Sequence, residues 1–550
     1  MLTRRRLVSS GVGLSLASLG ASPAMLAASL QQKPALTGES LLVETSEGVL
    51  RGVQTEALNV FKGIRYGEAT SGHYRFRRPQ PVQPWVGTRD ALSLGSPAPQ
   101  DSRDLDAWQD PLLPGSEDCL FLNLWAPRGR SEALPVMIFI HGGAYHTGSG
   151  GVPLYDCAAL AEGAGAVVLN LNHRLNLFGY LYLGGIGNDY DANVGQLDII
   201  EALRWVQRNI AAFGGDPANV TLFGESGGGL KISTLLGMPE AKGLFSKAIV
   251  QSGSQTRVRS PEAASREAML VLNELAISPR DVDKIAEVDT STLISVAQKV
   301  TSQTWSYELN SMPFSPVLDA TTVPYQLDTR ASREIWSHVP LLVGTNEAEA
   351  ALYYYPQTSL PALPDDRALH LELANICPWL TPGERDLLVQ AFRKYSPSAS
   401  REEVLIGSGS LAWFWKGALK QAELKAQMDA APVYTYLFGW RDPVLGGQWA
   451  THATELVFLF DHLDMNDIWD DTDISGNRAK GDPSGHRFEL RDAIISSWGA
   501  FAATGNPSSK LTPSWPVYTQ QSRSTMRIDT QWTVVDEPYG PHLRRLVQDL

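Results

Sequence analysis

A serine hydroxyl becomes a useful nucleophile only where a base takes its proton and fixed donors meet the oxyanion that forms on its substrate. Gly224-Glu225-Ser226-Gly227-Gly228 sets a serine in a context suited to that work. It follows directly on the branched and aromatic stretch Asn219-Val220-Thr221-Leu222-Phe223 and precedes a helix-compatible segment running through Leu236. Strand, tight turn and helix in that order make a nucleophile elbow, and the glycines suit a strained turn with backbone passing close beside it. His141-Gly142-Gly143-Ala144 likewise follows a strand-like run, Pro135 to Ile140. The amides of Gly142 and Gly143, together with that of Gly227, are the expected oxyanion donors.

On such a turn the remaining groups arrive in the chain order serine, acid, histidine. Of ten histidines, those late enough to serve as base include His452, His462 and His486. The acid is expected just beyond the strand-like Leu341-Leu342-Val343, where Glu347 and Glu349 compete. If Asn346 caps a helix continuing through Ala350, Ala351 and Leu352, Glu349 is its third residue and a capping-box partner. Glu347 would then face roughly 200° away from Glu349. No His-Glu-x-x-His spacing or other convergent ligand cluster occurs, so neither a metal nor a cofactor is expected.

These residues need a frame. Short runs at 135–140, 166–170, 219–223, 247–250 and 341–343 read as buried strands, and Gln196 to Ile210 repeats apolar residues at helical spacing. Strands alternating with helices imply a mostly parallel sheet covered on both faces, with ligands gathered beyond the carboxyl ends of its strands. The segments 260–310 and 365–430 look helical and are expected to form cap insertions in a single domain spanning 29–550.

The chain resembles the type-B carboxylesterases, the family of bacterial para-nitrobenzyl esterases, animal carboxylesterases and cholinesterases. The resemblance rests on Phe213 through Gly228, on Glu117-Asp118-Cys119-Leu120-Phe121-Leu122-Asn123-Leu124, and on weaker echoes from Phe61-Lys62-Gly63-Ile64 to Thr504-Gly505-Asn506-Pro507. It implies the α/β-hydrolase fold and hydrolysis of carboxylic esters through an acyl-enzyme. It also implies His452 as base, in a His-Ala-x-Glu segment where the family has His-Gly-x-Glu, and Glu349 as acid. Glu225 and Glu455 match acidic positions that in the family lie near the triad. Departures are Gly227 for the usual Ala, Arg65 for a usual Pro, Ala348 and Ala350 on either side of Glu349, and no cysteine upstream of Cys119 to pair with it. A lipase or acyltransferase would use the same residues. A non-catalytic interaction protein on this fold is the contrasting possibility, against which Ser226 itself argues.

Composition narrows the partners. With 550 residues, 43% of them hydrophobic and 19% charged, the chain can bury a large core. A net charge of -13 is the wrong sign for gripping phosphate backbones, so nucleic acid is not an expected partner; a small-molecule ester is. Thr3-Arg4-Arg5-Arg6-Leu7-Val8 and the apolar run Gly11 to Leu19 resemble a twin-arginine export signal over 1–28, too short and Gly-rich to be a stable membrane span. Periplasmic or secreted location follows as an expectation. Cys119, Cys157 and Cys377 are expected as free structural thiols, consistent with folding in a reducing compartment before export.

Overall fold

The computed structural model describes residues 38–101, 114–187, 190–305, 312–354, 359–442, 448–464 and 474–549. The segment read as an export signal lies outside them. Thirteen strands among the described residues share one sheet. They are β1 (Glu39–Glu44), β2 (Val49–Gln54), β3 (Leu58–Arg65), β4 (Thr88–Asp90), β5 (Phe121–Pro127), β6 (Leu134–Ile140), β7 (Val167–Leu171), β8 (Gly215–Glu225), β9 (Lys247–Gln251), β10 (Leu341–Asn346), β11 (Val433–Phe438), β12 (Ser524–Ile528) and β13 (Thr533–Asp536). The order is β1-β2-β3-β5-β7-β6-β8-β9-β10-β11-β12-β13, with β4 pairing β2 off that path.

The sheet changes character along its width. From β1 to β7 neighbours run antiparallel, from β7 through β12 they run parallel, and β13 closes the far edge antiparallel. The five runs read as buried strands fall at β6, β7, β8, β9 and β10, all in the parallel part. There both faces are covered, so near-continuous apolar sequence is required. Val136, Ile138, Ile140, Val220 and Leu222 join Leu197, Ile200, Leu203 and Val206 of the helix Val194–Asn209 in the main core. On the opposite face Phe139 packs against Phe223, Tyr155 and Phe460 at ring-centroid distances of 5.1, 4.7 and 5.0 Å. Residues 38–550 make one compact unit.

The two segments expected as caps are helical. The first holds helices Pro261–Glu274 and Thr290–Thr304 with a 3-10 stretch, Pro279–Glu287, between them. It is fastened by Arg75, which donates to the carbonyls of Ala286 and Val288 while forming a buried pair with Glu117 of the second signature. The second runs from Asp366 to a π-helical turn at Leu411–Trp415 and on into the helix Lys416–Ala426. That last helix departs from the expectation: Ala418 and Ala422 lie in the main core with Val343 and Val433, so it covers β10 and β11 rather than capping their ends. Two small residues one turn apart let it approach the sheet closely.

At the centre, the helix Gly227–Leu236 leaves β8 and lies against the end of β6. A Cβ on Gly228 would sit 1.9 Å from the Ile140 carbonyl oxygen, so backbone meets backbone where no side chain fits. Gly228→Ala should therefore push the helix off β6 and destabilise the fold by about 1–3 kcal/mol or more, as overpacking does. Thermal or urea unfolding checks this, and wild-type stability with Ala at 228 would contradict the packing described.

Candidate active site

Ser226 occupies the turn between β8 and the following helix at φ 54, ψ −121. A non-glycine residue there carries about 1–3 kcal/mol of strain, which the surroundings must over-determine. They do so by seating the Ser226 amide on the Gln251 carbonyl at the end of β9, 2.8 Å away, and by continuing directly into helical hydrogen bonding at Leu230. Ser226 remains partly open while Glu225 and Gly227 on either side are buried.

The acid and the histidine come from separate loops that the backbone ties together. Ala348 donates to the Ala450 carbonyl and bridges Thr451, and the Asn346 side chain donates to the Thr451 carbonyl at 2.6 Å. Glu349 and His452 are thereby brought into contact, Oε2 to Nδ1, at 2.5 Å, both side chains buried. The other carboxylate oxygen of Glu349 accepts from the Asn346 amide at 2.7 Å and from the Ser252 hydroxyl at 2.5 Å. The capping contact anticipated between Asn346 and Glu349 thus exists alongside the histidine contact, one carboxylate oxygen for each, at the start of a 3-10 helix, Glu349–Tyr354. Glu347 points away into an ion pair with Arg527 at 2.8 Å. Neither of the other late histidines belongs to this cluster: His462 sits beyond the helix Thr454–Leu459 with Asp156 and Asp461 as charged neighbours, and His486 is exposed beside Ser484.

The second imidazole nitrogen, Nε2, lies 3.0 Å from Oε1 of Glu225, the residue immediately before Ser226, which sets the ring at the elbow. Phe414, from the π-helical turn, covers the ring at 4.7 Å between centroids. Ala453, where the family pattern has Gly, holds φ 65, a left-handed conformation that favours glycine. Glu455 braces the site from behind, accepting from Asn346 at 2.7 Å and from Gln251 at 3.1 Å.

Beside Ser226, the loop after β6 carries Gly143 and Ala144 with positive φ of 79 and 50. A Cβ on Gly227 would fall 2.5 Å from the Ala144 amide nitrogen. Among the described residues, no backbone carbonyl outside the helix accepts from the amides of Gly143, Ala144 or Gly227, whereas the Gly142 amide faces the Tyr155 phenol. Gly142 is buried, with the position of its missing Cβ 3.1 Å from a Glu225 oxygen, whereas Gly143 and Ala144 stay partly open. Ala144 and Ser252 are members of the site that the sequence did not reveal. Ser252 could have been suspected only because it closes a strand on the ligand-binding edge of a parallel sheet.

The electrostatics are set by carboxylates around one imidazole. Burial alone would lower the pKa of His452, but Glu225 and Glu349 outweigh it and raise the value to about 9. Burial pushes Glu225 up to about 8, opposed by His452, and burial with Glu349 brings Glu455 up to about 6. All three shifts favour proton uptake, so at neutral pH the cluster holds more protons than the same groups would in water. Arg65, at a usual Pro position, forms a two-pronged pair with Asp118 at 2.5 and 2.7 Å. The cysteines Cys119, Cys157 and Cys377 are free and buried.

A strained serine elbow beyond β8 of a largely parallel sheet, met by a carboxylate–imidazole pair from loops after later strands, defines an α/β-hydrolase. Solved structures agree. A thermophilic para-nitrobenzyl esterase superimposes with a TM-score of 0.78 at 33% identity, covering 92% of this chain and 99% of that one. A carboxylesterase of Geobacillus stearothermophilus does so with a TM-score of 0.76 at 33% identity, covering 92% and 100%. In sequence, the para-nitrobenzyl esterase of Bacillus subtilis (strain 168) is 35% identical over 92% of this chain and 98% of its own length. The fumonisin B1 esterase of Sphingopyxis macrogoltabida is 29% identical over 90% and 87%. Residues 39–544 match the carboxylesterase family, and the chain belongs to that family. It is a carboxylic ester hydrolase of the serine class.

The Glu225 contact makes a measurable prediction. Glu225→Gln removes one of the three carboxylates that lift His452, so the imidazole should titrate lower than in the wild type, as followed by NMR of its ring protons. The wild-type shift is upward from 6.5. Its stabilising contribution is therefore complete below about pH 6.5 and lost as pH rises through about 9. Glu225→Gln should flatten that alkaline loss. An unchanged His452 titration would show that Glu225 does not act on it.

Proposed function

We propose that Ser226 is the nucleophile, His452 the general base and Glu349 the acid of a triad that hydrolyses esters through an acyl-enzyme. The observation that carries this reading is the 2.5 Å contact between buried Glu349 and His452 Nδ1, with Nε2 of the same ring at the Ser226 elbow. In its neutral form His452 takes the Ser226 proton as the hydroxyl attacks the ester carbonyl, and Glu349 holds the imidazole tautomer and stabilises the imidazolium. The oxyanion is met by the amides of Gly143, Ala144 and Gly227, while Gly142, the remaining donor expected from the sequence, lies nearer Glu225. His452 then returns its proton to the departing alcohol, and water repeats the sequence on the acyl-enzyme. Glu455 acts at one remove, fixing Asn346 and Gln251, which hold Glu349 and Ser226.

Uncharged small-molecule carboxylic esters are the proposed substrates. Support comes from a relative named a para-nitrobenzyl esterase, and from Phe414, which covers His452 and itself packs on Trp413. Among the described residues no helix is long and apolar enough to cross a membrane. Delivery to the periplasm or beyond by the twin-arginine route is proposed on Arg4-Arg5-Arg6 and the apolar run behind them.

Ser226→Ala should abolish both ester hydrolysis and labelling by an organophosphate while the protein stays folded; a typical loss is ~10⁶ in kcat. Glu349→Gln should lower kcat by ~10⁴, whereas Glu347→Gln, whose partner is Arg527, should stay near normal. The reverse pattern would move the acid to Glu347. For export, replacing Arg4 and Arg5 together by Lys should leave active enzyme in the cytoplasmic fraction, and unaltered export would discard the twin-arginine route.

A further inference from the structure

Lys231 is a charged side chain, fully buried, on the helix that begins at Ser226. Its Nζ donates to the carbonyl oxygen of His141 at 3.0 Å. No other hydrogen bond from it occurs among the described residues, although an ammonium carries three donors. Its other neighbours are the ring of Tyr145 at 5.9 Å, the stacked pair His141 and His173, and Glu225. Burying such a charge with a single acceptor is unfavourable, and an apolar side chain of the same length would cover the same surface at no such cost. Stability therefore does not account for a lysine here.

The accepting carbonyl has a particular place. His141 ends the run from β6, and the peptide that carries its oxygen also carries the Gly142 amide, directly before Gly143 and Ala144. The serine helix and this loop meet with no side chains between them: a Cβ on Gly227 would lie 2.1 Å from the Ala144 oxygen. Contact that close is sterically unforgiving but supplies no fixed polar tie of its own. Lys231, about one and a half helical turns beyond Ser226, supplies one. It links the helix that aims the nucleophile to the first residue of the loop that meets the oxyanion.

We propose that Lys231 is a positioning residue for ester hydrolysis, clamping the loop that carries Gly143 and Ala144 to the nucleophile's helix through the His141 carbonyl. This rests on the triad and oxyanion roles proposed above. A donor on the His141 carbonyl fixes the orientation of the peptide from which Gly143 and Ala144 follow. Burial lowers the Lys231 pKa to about 7, with Glu225 opposing. The clamp survives that titration, because a neutral amine still donates to a carbonyl. Its effect belongs to the transition state, when charge has moved onto the carbonyl oxygen, and not to binding of the neutral ester.

The test is Lys231→Met, which keeps length and burial and removes the donor, with Lys231→Leu as a second variant that likewise lacks a donor. Stoichiometric labelling with an organophosphate first establishes that the nucleophile and base are intact, which separates failure of the clamp from failure of the triad. For Lys231→Met, kcat should then fall ~10-fold or more, short of the 10²–10³ lost with an oxyanion donor itself. KM should stay within about twofold, and a trifluoromethyl ketone, whose serine adduct carries the oxyanion, should lose affinity by the same factor as kcat. Melting temperature should not fall. If Lys231→Met does not fold, the same split between kcat and KM is sought in Lys231→Leu. Wild-type kcat in either folded variant, or a loss confined to KM, would overturn the clamp.

Discussion

Backbone comes within van der Waals contact of backbone where the helix Gly227–Leu236 crosses the end of β6, and the geometry of the site follows from that approach. Gly227 and Gly228 have no room for a Cβ against Ala144 and Ile140. Because nothing intervenes, the Ser226 turn and the loop at Gly143 and Ala144 cannot move independently. The strained conformation at Ser226 is held from the other side by the Gln251 carbonyl. Strain stored in this way exposes the hydroxyl at the sheet edge while its neighbours remain buried, a condition a relaxed turn would not meet.

A second layer of order is polar and runs around the site as a ring. Gln251 receives the Ser226 amide and donates to Glu455; Glu455 accepts from Asn346; Asn346 donates its amide to Glu349; Glu349 meets His452; and His452 meets Glu225, adjacent to Ser226 in the chain. The ring encloses more carboxylates than cations. Burial and mutual repulsion raise the proton affinity of Glu225 and Glu455, and the imidazole shares in that rise. In low dielectric such groups influence one another strongly, so each carboxylate bears on the protonation of the imidazole.

Much of this was legible in the chain because it depends on local pattern. The elbow at 224–228, the Gly142-Gly143 run and the strands at β6 to β10 are signalled by glycines and by apolar runs that a sheet covered on both faces requires. The strands β1 to β5 and the far strands β11 to β13 were not; β13, for one, is short and exposed throughout. Choosing Glu349 and His452 needed family resemblance, because two glutamates and several histidines satisfy the chain order equally well.

What the sequence determined by itself was the kind of chemistry and the residue types that carry it, since a nucleophile elbow and its glycines are written in consecutive positions. What only the tertiary structure decided was which distant groups meet. Ala348 and Thr451, 103 residues from each other in the same span that separates Glu349 from His452, pair across two loops. Ser252 reaches Glu349 from a third loop, Ala144 takes up a left-handed conformation beside Gly227, and Lys231 finds a carbonyl just past the end of β6. None of these contacts has a local signature, because each is fixed by the order and register of strands in the sheet and not by the residues on either side of it.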